Sequence, residues 1–321
     1  MELLVLGGTA FLGHEIARSA LARGHRVTCA ARGSAEPPAG AAFVRIDRDR
    51  DDGLAPLAGG RWDVVIDVAR QPGHVRRTVR DLTADHRVFV SSGNAYADFS
   101  SLEQSEDAAT LAPLAADAMS SDDDYGAAKV ACEQAVLAAG PAAVVRSGLI
   151  AGPGDWSGRS GYWPWRFAHP VGSEVVVPDD LHFPCAMVDV RDLAAWIVGL
   201  AERRVEGTFN ATGPTTDLQS VLQVAARVAA STARPRPVPI ERLRELGVGN
   251  WMGPATLPLW IDDPEWRGFA TMDTGRARAQ GLTTRPLEET LADVLVWEET
   301  RTQPRRCGLT DDEERRVLAA L

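Results

Sequence analysis

The sequence predicts an α/β protein built on a doubly wound parallel sheet, and three observations carry that expectation. Short apolar runs alternate with helical stretches through the first 150 residues, as βαβ units require. A glycine-rich turn, Gly7-Gly8-Thr9-Ala10-Phe11-Leu12-Gly13, stands directly between the first run and the first helix. The runs are near-continuously apolar, the pattern of strands covered on both faces.

Taken in order, Leu3–Leu6 reads as the first strand, and the helix after the turn places Ile16, Ala17, Ala20 and Leu21 on one face. Gly24 supplies its stop, and Arg26–Ala31 is the second strand. Ala42–Ile46, Val64–Val68, Arg87–Ser91 and Ala142–Arg146 are further strands. An acidic, Ala- and Ser-rich stretch, 98–124, precedes a helix from Tyr125 to Ala139. After Gly152 the chain becomes rich in Pro, Gly and Trp up to residue 186. A strand and helix return over Met187–Glu202, then a short strand over Thr208–Ala211. Helices are expected at 217–231, 240–247, 274–280, 286–303 and 310–321. The division that follows is a nucleotide-binding domain of residues 1–151 and 187–212, with a smaller, discontinuous substrate lobe of 152–186 and 213–321.

Composition narrows the function. Apolar residues at 45% and charged residues at 24% exclude general disorder. A formal charge of −10 argues against nucleic acid and anionic membranes as partners. No apolar run reaches a bilayer's width, and Met1–Leu6 lacks the basic start of a signal peptide. Four scattered cysteines and six scattered histidines suggest reduced thiols, no metal site and a cytoplasmic setting. The 34 basic residues are all Arg except Lys129, which hints at a position where a guanidinium will not serve.

Three motifs carry chemistry. In the turn, Gly7 permits the tight bend, the helix starting near Phe11 aims its N–H groups at a pyrophosphate, and Gly13 lets helix and strand approach. Ala10 stands where a middle glycine is usual. Tyr125 and Lys129 lie at i and i+4, on one helix face, where the ammonium favours the phenolate needed for acid–base work. Ser91 and Ser92 end a parallel strand, where a hydroxyl can donate to a carbonyl oxygen.

These motifs, followed by Arg146-Ser-Gly-Leu-Ile-Ala-Gly152-Pro153-Gly154-Asp155, Val188-Asp189-Val190-Arg191-Asp192 and Gly207-Thr-Phe-Asn210, resemble the extended short-chain dehydrogenase/reductase superfamily. The NAD-dependent epimerase/dehydratase branch fits best, over residues 1 to about 212, with a Gly-Gly-Thr-x-Phe-Leu-Gly turn like that of its reductase-like members. The resemblance implies a Rossmann-type fold, a nicotinamide cofactor, Tyr125 as general acid/base, Lys129 as its electrostatic partner and ribose anchor, and Ser92 as carbonyl polariser. It also implies a cofactor-contacting set of Gly7, Thr9, Ala10, Phe11, Leu12, Gly13, Arg32, Asp47, Val68, Ala69, Ser91, Tyr125, Lys129, Ser147 and Ile150. A homodimer is a further implication. Arg32, with no acid at the end of the second strand, favours NADP over NAD.

Departures refine the expectation. Family dehydratases carry an Asp-Glu pair where this chain has Gly93-Asn94, which disfavours elimination of water. Nucleotide-sugar epimerases usually place an Arg near Cys185 to hold a diphosphate. The expected activity is therefore hydride transfer between a nicotinamide and a small organic carbonyl or alcohol, the alternative being a sugar or nucleotide-sugar epimerase that retains its cofactor. Asn94, Tyr96, Arg159, Trp163 and Arg166 are the substrate-side candidates.

Overall fold

A computed structural model describes all 321 residues. From β1 (Glu2–Leu6) the chain passes the glycine turn into α1 (Phe11–Ala22), and β2 (Arg26–Ala31) and β3 (Ala42–Arg45) extend the sheet to one side. It then crosses to the other side of β1 with β4 (Arg61–Asp67), α2 (Pro72–Asp81), β5 (Thr83–Ser92), α3 (Tyr125–Ala138) and β6 (Ala142–Ser147). Next come β7 (Leu149–Ala151), α4 (Tyr162–Ala168), β8 (Glu174–Pro178), β9 (Pro184–Cys185), β10 (Met187–Asp189) and α5 (Val190–Arg203), before β11 (Gly207–Ala211) pairs with β6. The seven strands lie in the order β11-β6-β5-β4-β1-β2-β3, every pair parallel. The order in which strands are added reverses between β1 and β4, which opens a crevice at the carboxyl ends of those strands.

The sheet is held by apolar burial on both faces. Leu3, Val5, Val64, Ile66, Val88 and Val145 pack with Leu12, Ile16, Ala17 and Ala20 of α1 and with α5. Leu4, Leu6 and Val65 pack on the opposite side with Ile46, Leu54 and Leu57. Fully burying each such Val, Leu or Ile contributes about 1.5–3 kcal/mol, so the periodicity of α1 is a consequence of what it covers.

Beyond the sheet, β12 (Thr216–Asp217) pairs with β9, and α6 (Leu218–Val228), β13 (Arg234–Val238) and α7 (Ile240–Glu245) follow. The lobe is completed by α9 (Leu287–Glu298) and α10 (Asp311–Ala319). Its core gathers Trp163, Phe167, Val175, Val176, Val177, Phe183 and Trp260. Between α7 and α9, α8 (Gly275–Ala279) departs from the sequence-drawn boundary. Ala277 and Leu282 join the first core, and Trp196 Nε1 donates to the Gln280 carbonyl at 3.0 Å. Residues 275–282 thus return to the nucleotide domain.

Helix α2 escapes a periodicity reading because it is mostly polar and buries only Pro72, Gly73, Val75 and Thr78. Strand β8 pairs in parallel with β13, whose Arg-Pro-Arg-Pro-Val sequence has little strand character.

Candidate functional site

The crevice is a cleft of about 730 Å³ formed by the carboxyl ends of β1, β2, β3 and β4. Gly7, Thr9 and Ala10 line it on one side, Ala30, Ala31 and Arg32 on the next, then Asp47, Arg48 and Asp49, then Val68, Ala69, Arg70 and Gln71. Met119, Ser120, Ser121 and Asp122 form its outer wall. Backbone geometry explains the glycines. Gly7 has φ +88° and an added Cβ would stand 2.6 Å from Val68 Cγ2, while a Cβ on Gly13 would overlap the Gly7 carbonyl oxygen. Ala10 is the extended N-cap of α1 (φ −115°), so a methyl there is tolerated. The first turn of α1 holds no acidic side chain and leaves its N–H groups available to an anion.

The cleft floor carries a buried ion pair that sequence spacing does not reveal. Arg48 Nη1 lies 2.8 Å from both Asp67 oxygens, and Asp67 Oδ1 in turn accepts from the Ala69 N–H at 2.9 Å. Asp67 therefore fixes the loop that follows β4. Loop and outer wall are joined too: the Met119 N–H donates to Gln71 Oε1, and the Gly73 N–H to the Asp117 carbonyl, both at 2.8 Å. His74, at the edge, holds Asp49 at 2.6 Å. Burial lowers the His74 imidazole below its ordinary value, against the opposing pull of Asp49.

Tyr125 and Lys129 meet this loop from α3. Lys129, 3% exposed, donates from Nζ to the Ala69 carbonyl at 2.6 Å and to the Val90 carbonyl at 2.8 Å. Its ammonium also stands 4.9 Å from the centre of the Phe89 ring and 5.8 Å from that of Tyr125. Two of its three N–H groups are thus committed to protein. The half-buried Tyr125 opens α3, with the Arg70 guanidinium 5.2 Å from its ring centre. At the end of β5, Ser92 Oγ donates to Asn94 Oδ1 at 2.9 Å and accepts the Asn94 N–H at 3.2 Å, so Asn94 orients the hydroxyl.

Other sequence candidates lie elsewhere. Ser91 donates to Glu133 Oε1 at 2.5 Å, inside a buried network where Arg146 Nη2 holds Glu133 at 2.8 Å. Its hydroxyl is structural, contrary to expectation. Tyr96 is buried, with its hydroxyl on Asn210 Oδ1 at 2.7 Å and Arg146 over its ring. Trp163 is a core residue whose Nε1 donates to the Pro258 carbonyl at 3.0 Å. Arg166 is buried completely and tied to Asp311, Glu314 and the Leu309 carbonyl, locking α10 onto α4. Tyr96 is claimed by packing against the main sheet, and Trp163 and Arg166 by apolar and ionic packing in the lobe, so all three are withdrawn as substrate contacts. Arg159 stays at the surface of the lobe, over the Trp251 ring at 5.1 Å. Leu12 and Gly13 belong to the packing beneath the turn, Phe11 lies against Gly154, Ser147 Oγ donates to the Gly148 carbonyl, and Ile150 packs on the first core. Cys185 is buried with its S–H directed at the Phe183 and Leu259 carbonyls, and burial pushes its thiol far up. Arg48, Asp67 and Arg70 are the residues that sequence reasoning missed; only their place at or just after the ends of β3 and β4 marks them.

The fold and cleft together define an α/β protein with a seven-stranded parallel Rossmann-like sheet and a cleft at the point where its strand order reverses. Residues 3–87 match the NAD dependent epimerase/dehydratase family. Solved structures extend the likeness over the chain. An epimerase-like protein of Burkholderia cenocepacia J2315 aligns with TM-score 0.71 and 22% identity, over 93% of this chain and 98% of that one. UDP-glucose 4-epimerase of Thermotoga maritima, solved with UDP-glucose, gives 0.69 and 17%, over 94% and 99%. UDP-glucuronic acid 4-epimerase of Bacillus cereus, solved with NAD, gives 0.66 and 14%, over 94% and 99%. At these identities the likeness is one of fold. A comparison with curated protein sequences finds no match.

Proposed function

We propose that the chain is an enzyme of the NAD-dependent epimerase/dehydratase family that acts on the carbinol or carbonyl carbon of a small substrate. The observation that carries this reading is Lys129, buried at the junction of the Ala69 loop and β5 with one N–H uncommitted, one helical turn from Tyr125. A buried ammonium without a carboxylate partner costs several kcal/mol, and chemistry at Tyr125 gives it a purpose. The cleft fits a dinucleotide: the Gly7–Gly13 turn would take the pyrophosphate, Asp47 and Arg32 the adenosine, and Lys129 the ribose beside the nicotinamide. When bound, that group supplies the hydride acceptor or donor.

The residues of the chain then divide the proton work. Tyr125 gives or takes the hydroxyl proton, with the Lys129 ammonium 5.8 Å from its ring centre. Ser92, aimed by Asn94, donates to the substrate oxygen and stabilises its charge. The fold neighbours favour an epimerase course, in which oxidation and re-reduction occur at one carbon with no net redox. Net reduction with an exchanging cofactor is the second reading, favoured by Cys185, whose buried thiol cannot grip a carrier diphosphate. Arg32 and Arg45, beside the adenosine end, support NADP over NAD. Purified protein should be tested for co-purifying dinucleotide, then titrated with NADPH and NADH. Tightly held NAD identifies the epimerase course; an empty protein that binds NADPH more tightly identifies the exchanging reductase. Failure to bind either removes both.

A further inference from the structure

The cations of the cleft are not equally committed. Arg48 is committed to Asp67, and Lys129 to two carbonyls. Arg76, on α2, is committed to Asp117 and to the Leu114, Ala115 and Ala116 carbonyls. Arg70 has a single partner: its Nη2 donates to Asp122 Oδ1 at 2.9 Å. The Arg70 side chain is 54% exposed and that of Asp122 is 93% exposed. Such a pair contributes little, because water competes for both groups. Four of the five guanidinium N–H groups remain open. Asp122 also differs from its neighbours, since Asp124 is tied to Ser120 and Asp123 to Ser121, whereas Asp122 reaches only Arg70.

Position gives this pair a meaning. The guanidinium lies over the Tyr125 ring, on the residue next to the Lys129 anchor, Ala69. That is the reaction end of the cleft. The pyrophosphate end is served by the backbone of the glycine turn and the N-terminus of α1. From this arrangement we infer that Arg70 recognises a carboxylate on the substrate, close to the reacting carbon, and that Asp122 is the chain's own carboxylate holding its place. The substrate class is a hydroxy or keto acid, or a sugar acid, and the inference rests on the hydride-transfer reading above. A planar fork that binds carboxylate at two points orients the substrate as well as attracting it, which suits a residue beside the proton-transferring hydroxyl.

The test uses the full-length protein saturated with the dinucleotide it binds better, and ligand-observed NMR with two matched probe pairs. D-glucuronate is compared with D-glucose, and lactate with propane-1,2-diol. The expected result is that at least one acid binds and its neutral match does not. Arg70→Met should weaken the acid by about ten-fold or more, the worth of a charge-assisted contact. Arg70→Lys should fall between the two. Asp122→Asn should tighten the acid, by at most about five-fold, because the displaced pair is an exposed one. Dinucleotide affinity is measured in the same three variants, because Arg70 and Asp122 line the cleft. A structural bridge would show the opposite sign at Asp122, and a weakened acid in Asp122→Asn overturns the inference. So does equal binding of acid and neutral probes, or no binding of any probe. Loss of dinucleotide affinity in Arg70→Met, with acid binding intact, assigns the guanidinium to the cofactor diphosphate and also overturns it. Failure of the parent to bind any dinucleotide is a separate outcome that defeats the functional reading itself.

Discussion

Replacing Lys129 by Met separates the two tasks a buried ammonium can have. Met has nearly the same length and shape, so the α3 packing survives. Two charge-assisted hydrogen bonds disappear, to Ala69 at 2.6 Å and to Val90 at 2.8 Å. Each is worth about 1.5–3 kcal/mol. Against that stands the desolvation of an ammonium only 3% exposed, which costs several kcal/mol and vanishes with the charge. The two nearly cancel, so stability should change by no more than about 2 kcal/mol in either direction. Dinucleotide binding has no such compensation. Losing the third N–H as a ribose donor should weaken NAD(P)H about ten- to hundred-fold, the same 1.5–3 kcal/mol read as an equilibrium constant. Urea denaturation and fluorescence titration measure the two quantities side by side. A variant that loses much stability yet binds NAD(P)H like the parent would make Lys129 a structural residue and remove the central support for the functional reading.

Three further outcomes test the surrounding structure. Gly13→Ala should abolish detectable NAD(P)H binding and lower stability by about 1–3 kcal/mol, because its methyl would overlap the Gly7 carbonyl oxygen and lie 2.8 Å from the Gly7 carbonyl carbon, both backbone; fluorescence titration and thermal melting report it. His86 is fully buried with neither ring nitrogen hydrogen-bonded, and burial holds its imidazole below the ordinary value. The unfolded chain therefore binds the extra proton first. The contribution of His86 is complete above about pH 6.5 and lost as pH falls below it, so His86→Phe should flatten the loss of stability between neutral and mildly acidic pH in urea melts. Arg166→Met should destabilise the second lobe by about 3–5 kcal/mol, because Glu314, whose carboxyl burial already pushes up, would lose its cation. The double variant Arg166→Met with Glu314→Met should recover most of that loss in the same denaturation assay.

The parts of this molecule that are legible in sequence are those whose cause is local. Leu3–Leu6 followed by two glycines and an amphipathic helix can hardly be anything but a strand, a tight turn and a covering helix, and β1 and α1 lie there. Tyr125 and Lys129 share a helix face whatever the rest of the chain does. What stays hidden depends on distant partners. Helix α2 is held by few apolar contacts and by carbonyls of residues 114–116, so its own sequence looks like loop. Trp163 and Arg166 sit in a segment rich in Trp and Arg that reads equally well as a pocket wall. Only Pro258 in one case, and Asp311 and Glu314 in the other, turn them inward. The arginines pose the problem most sharply. In a chain whose basic residues are Arg but for Lys129, residue type conveys almost nothing, and the partner decides the role. Arg48, Arg146 and Arg166 are matched to the buried acids Asp67, Glu133 and Glu314 and serve the fold. Arg70, over Tyr125 with one weakly held carboxylate, is matched to nothing the fold requires. Its place over Tyr125 is what sets it apart from other exposed pairs such as Arg50–Asp52, and that place becomes visible only when partners across the cleft are in place.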